Sequence, residues 1–93
     1  MKHAGPEALD ALEPLLAELR ERTALKERSR GVYYRAGRAF LHFHEHGDDA
    51  LHADLRTGED FERFPATTQA ERRALLRRID GLLLGGGKPA GPR

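Results

Sequence analysis

The sequence predicts an α+β domain, and two observations carry that expectation. One segment near each end of the chain repeats leucine or isoleucine at three- and four-residue spacing, as one face of a helix does. Between them, residues 38–56 alternate apolar and polar side chains about a short Gly-Asp-Asp break, as two strands of a hairpin do.

The elements follow in order. Residues 1–5 read as a frayed start. Leu9, Leu12, Leu15, Leu16 and Leu19 make one apolar stripe, giving a helix over about Pro6 to Arg22. Pro14 lies inside it and removes a backbone donor, so a kink is expected there. Thr23 to Arg30 reads as a polar connector. Val32 to Arg35 is rich in strand formers, and Ala36-Gly37 supplies a turn. Strands over Arg38 to His46 and Ala50 to Arg56 complete a three-stranded antiparallel meander. Phe61, Phe64 and Pro65 form either a short edge strand or an ordered loop. Thr68 and Glu71 fit a capping box that opens the last helix, whose apolar face is Leu75, Leu76, Ile79, Leu82 and Leu83. Gly85 to Gly87 stops it, and 85–93 reads as a flexible tail. The expected architecture is helix–meander–helix, both helices packed on the Leu41, Phe43, Leu51 and Leu55 face.

At 93 residues the chain is expected to be one domain, with an ordered core over about 6–84. Such a chain buries only roughly 60–65% of its unfolded surface, which leaves little room for a large cofactor. No cofactor is expected apart from a small ion. The absence of cysteine excludes disulfides, thiolate metal sites and cysteine nucleophiles. No apolar run reaches the roughly 20 residues that cross a bilayer, and Glu7, Asp10 and Glu13 interrupt any signal-like start. A cytoplasmic location and no membrane association are the expectation. Arginine and alanine usage suggests a bacterial source with a GC-rich genome. The net charge is only +1, but residues 20–38 are basic and residues 45–62 acidic, which predicts a bipolar molecule.

The chemistry-bearing residues cluster on the hairpin. Strand alternation puts Phe40, His42, His44 and His46 on one face and Leu41 and Phe43 on the other. Matching the apolar sets across the hairpin brings His52 and Asp54 to the histidine side. A three-residue loop at Gly47 to Asp49 sets His44 opposite His52 and His42 opposite Asp54. In one reading His42, His44, His52 and Asp54 hold a divalent metal such as zinc or nickel, which imidazole and carboxylate suit. In the other they are the polar face of a one-sided sheet, with His42 and Asp54 a cross-strand pair. His46 lies at the rim, and His3 plays no part. Ser29 is the single serine and lies far from this face, so a Ser-His-Asp triad is not formed.

A second candidate is the basic stretch of Arg28, Arg30, Tyr33, Arg35 and Arg38, which mixes cations with a stacking ring and suits nucleic acid or an acidic protein. The near-neutral net charge argues against a strong nucleic-acid footprint. Gly85-Gly-Gly-Lys88 is no phosphate loop. Position 82 is leucine where glycine is needed, and Pro89 stands where serine or threonine is needed.

Leu25-Lys-Glu27, then Gly31-Val-Tyr-Tyr-Arg-Ala-Gly-Arg-Ala-Phe40 entering a hairpin, resembles the small bacterial MmcQ/YjbR-like domains. Gly37, Arg38, His42, His44, Ala53, Asp54 and Leu55 are also similar to the pattern of a luciferase-associated domain of unknown function. The resemblance spans about half the chain. It implies a compact sheet-and-helix domain, with DNA binding suggested for the YjbR-like group, and it carries over no catalytic residue. The expected function is therefore a non-enzymatic binding or interaction domain for nucleic acid or a protein. The alternative is a metal-binding protein, and an acid–base role for one histidine beside Asp54 is a third reading.

Overall fold

A computed structural model describes residues 2–84. The elements run β1 (Lys2–His3), α1 (Pro6–Arg20), β2 (Leu25–Ser29), β3 (Val32–Arg35), β4 (Arg38–His46), β5 (Ala50–Arg56), β6 (Phe61–Pro65) and α2 (Gln69–Leu84). The α+β class is as expected, but the three-stranded meander is half of a six-stranded sheet. Its order is β2-β3-β4-β5-β6, all antiparallel neighbours, and β1 pairs with β4 beyond the end of β3. The glycine stop and the tail at 85–93 lie outside the described residues. None of the described helices is long and apolar enough to cross a membrane.

Two expected irregular segments are strands. The connector 23–30 contains β2, a charged edge strand whose Glu27 accepts hydrogen bonds from Arg20 Nε at 2.6 Å and from the Gly31 amide at 3.0 Å. Charged side chains are how an edge strand resists further pairing, and they also make it read as a connector. The frayed start contains β1, which pairs Lys2 with Glu45 and His3 with His44.

The core lies on one side of the sheet. Leu41, Phe43, Leu51, Ala53 and Leu55 join Leu12, Leu15, Leu16 and Leu19 of α1 and Leu75 and Ile79 of α2 in one buried cluster. Helix α1 runs unbroken through Pro14. The capping box of α2 is formed: the Thr68 hydroxyl accepts from the Glu71 amide, and the Glu71 carboxylate accepts from the amides of Thr67 and Thr68. Phe40 departs from simple alternation. The β3–β4 register shifts so that Tyr33 faces Leu41 while Tyr34 faces Ala39, leaving Phe40 as the extra residue of a bulge. Phe40 therefore joins the core at 2% exposure instead of sharing the histidine face.

Candidate metal centre

Burial of Leu41, Phe43, Leu51 and Leu55 fixes the β4–β5 register, and the Gly47–Asp49 loop has the length to keep it. His42 faces Asp54 and His44 faces His52, as the sequence predicts. β6 adds Arg63 opposite Asp54 and Pro65 opposite His52. On the other flank of β4, β1 adds His3 opposite His44.

The histidine prediction is partly redrawn by these placements. Among the described residues, the group of metal-ligating side chains that comes together is His3, His42 and His44, each offering one ring nitrogen, all within 4.8 Å of one another. His42 Nδ1 lies 3.0 Å from His44 Nε2, and the same His44 Nε2 lies 3.1 Å from an Asp54 carboxylate oxygen. His52 is not in this group. Its ring lies 6.3 Å from that of His46, and its Nδ1 is buried with no hydrogen-bond partner. His3, set aside in the sequence, stands 4.8 Å from the His44 ring and 5.7 Å from the His42 ring.

His3 is brought in by its neighbours along β1. The Ala4 amide donates to the Phe43 carbonyl at 3.1 Å, and the Gly5 amide donates to the Glu45 carboxylate at 2.6 Å. Four consecutive residues, 2–5, are thus tied to β4, and α1 begins at the next. Glu45 also sets a negative charge at the start of that helix, where the helix dipole favours it. Glycine suits position 5, because a Cβ there would stand 3.1 Å from the Glu45 carboxylate.

The two described helices pack on the core side of the sheet, yet Asp54 is only 9% exposed. Side chains of the sheet cover it. The Phe61 ring packs edge-on against His42 at 5.0 Å, and Arg63 grips Asp54 with two donors at 2.9 and 3.1 Å. Arg63 holds the Asp54 carboxyl below its ordinary range, more than burial raises it. An ionised carboxylate only accepts, so His44 Nε2 carries a proton toward Asp54, and His42 Nδ1 presents a lone pair to the same proton. Burial, followed by the neighbouring His44, pushes the His42 imidazole below its ordinary value. His44 Nδ1 is buried without a partner.

This arrangement sets imidazole nitrogens on a largely half-buried surface with one ionised carboxylate beside them. A tetrahedral zinc ion, with metal–nitrogen lengths of about 2.0 Å, sets its ligand atoms about 3.3 Å apart. The observed spacings of 3.0 and 3.1 Å around His44 Nε2 are within a few tenths of that.

The basic candidates do not form one surface. Tyr33 is 1% exposed and its hydroxyl donates to the Leu16 carbonyl, so no base stacks on it. Arg30 is paired with Asp10 and Glu13. Arg28 lies over the Tyr34 ring. Arg35 and Arg38 alone stand together, at the far end of the β3–β4 hairpin.

No protein-family model, curated protein or solved structure matches this chain.

Proposed function

We propose that this domain binds a divalent transition-metal ion, zinc or nickel, through His3, His42 and His44, with Asp54 beside His44 as orienting carboxylate or fourth ligand. The observation that supports this most is the convergence of three imidazole nitrogens from two different strands within 4.8 Å. A polar face needing only solvation has no reason to gather rings separated by about 40 residues in the chain. In this reading the ion takes the Nε2 lone pair of His44 while its proton moves to Nδ1, and binding weakens at acid pH because a protonated imidazole is no ligand. Arg63 keeps Asp54 ionised and also places a positive charge near the ion. That combination suits reversible binding more than a permanent structural ion. The non-enzymatic character of the domain is part of the same reading.

Thermal melts of tag-free protein test it. At zinc concentrations about 100-fold above Kd, linkage adds about 2.7 kcal/mol, which raises Tm by on the order of 10 °C in a domain this size. A chelator reverses the rise, and His42→Ala or His44→Ala removes it. A rise that survives in both variants sinks the proposal, as does no rise at millimolar zinc or nickel.

A further inference from the structure

The second concentration of unexplained chemistry is at the other end of the hairpin from the β4–β5 turn. A cleft of about 350 Å³ opens there, within the size range of small-ligand sites. Arg35, Arg38 and Arg56 border it, and Phe40 and Leu82 give it apolar walls. Arg20, Arg22, Arg30 and Arg63 each meet a carboxylate, whereas Arg28 lies over a tyrosine ring and Arg72 is held by backbone carbonyls. Among the described residues, none of the three cleft arginines has a carboxylate within ion-pair distance. Arg35 and Arg38 are moreover direct cross-strand partners, joined by the two-residue turn Ala36-Gly37, both at positive φ. Like charges at directly opposed positions destabilise a hairpin, and this turn holds them there.

Arg56 is fixed by the backbone instead. Its Nε donates to the Ala39 carbonyl at 2.7 Å and its Nη1 to the Glu59 carbonyl at 2.8 Å, while the guanidinium lies 4.5 Å over the Phe61 ring. Two neutral acceptors orient this cation without cancelling its charge. Arg35 lies 5.7 Å over the Phe40 ring, so its guanidinium is also set against an aromatic wall.

We infer that this cleft is a binding site for a small organic phosphate monoester, independent of the histidine site. Three guanidinium groups exceed what one carboxylate needs and suit a dianionic phosphoryl group, whose oxygens accept paired N–H donors. The apolar walls of Phe40 and Leu82 take the organic body. Bound phosphate would relieve the opposed Arg35–Arg38 charges.

The test is a calorimetric or NMR titration of the full chain at low salt with phenyl phosphate, inorganic phosphate and benzoate. Phenyl phosphate is expected to bind one per chain, and more tightly than either of the others. Arg35→Ala, at a half-buried position, and Arg38→Ala, at an exposed one, are each expected to weaken it about tenfold. Arg56→Lys is expected to weaken it too, because lysine loses the two-carbonyl anchorage. Arg77→Ala on the exposed side of α2 is expected to leave it unchanged. Absence of saturation at roughly millimolar phenyl phosphate overturns the inference. Equal affinity for benzoate overturns it, as does equal weakening by Arg77→Ala. Tighter binding of a single-stranded oligonucleotide through the same arginines also overturns it, in favour of a nucleic-acid surface.

Discussion

At the residue scale, the centre of the histidine face is His44 Nε2, which stands between a carboxylate oxygen and an imidazole nitrogen at nearly equal distances of 3.1 and 3.0 Å. The titration of its neighbours follows from that geometry. The folded His42 pKa lies below the ordinary 6.5, so the unfolded chain takes up its proton first as pH falls. Its contribution to stability is complete above about 6.5 and is lost as pH falls from there toward the folded value. Asp54, with a folded pKa below the ordinary 3.8, contributes stability that is complete above 3.8 and is lost as pH falls through its folded value. Urea denaturation across this range, with chelator present, is therefore expected to show two separate declines. His42→Gln should remove the upper one and leave the lower one. A profile that is flat through the imidazole range contradicts this assignment, and so does an upper decline that persists in the variant.

At the element scale, β1 decides whether the histidine face has two convergent imidazoles or three. It is two residues long and is held by its pairing with β4 and by the Gly5 amide on the Glu45 carboxylate. Glu45 is thus a positioning residue for His3. Glu45→Ala is expected to weaken zinc binding several-fold while changing stability by no more than about 1 kcal/mol, and Glu45→Gln, which keeps an acceptor oxygen, should restore part of the affinity. Unchanged zinc affinity in Glu45→Ala would show that His3 is not a ligand. The sequence reaches this point only in part. Register in β4 and β5 is legible because four large apolar residues must be buried and the loop length is set, and the cap of α2 is legible because Thr68 and Glu71 are local partners. β1 is not legible, because two residues have no period and its anchor lies 40 residues away. Nor is the inward turn of Phe40, because a bulge interrupts the alternation from which faces are read.

At the scale of the whole molecule, folding neutralises three arginines of the expected basic stretch. Arg20 reaches Glu13 and Glu27, Arg22 pairs with Asp80, and Arg30 pairs with Asp10 and Glu13, so that the basic stretch is tied to α1, β2 and α2. Glu13, between two arginines, has its carboxyl lowered to about 2. Arg35 and Arg38 of that stretch stay without a carboxylate among the described residues and meet Arg56 at the cleft, a grouping that one-dimensional charge counting does not show. The fold thus separates a helix-covered apolar side from a polar side built of sheet residues alone. His42 and Arg56 both pack against Phe61, which places one ring between the two candidate sites. The central claim is that the polar side takes a metal ion, and a calorimetric zinc titration of tag-free protein in two buffers of different ionisation enthalpy tests it most directly. The expected result is one ion per chain, saturable heat in both buffers, and loss of binding in the His42→Ala, His44→Ala double variant. Absence of saturable heat, or the same stoichiometry and affinity in the double variant, would contradict it.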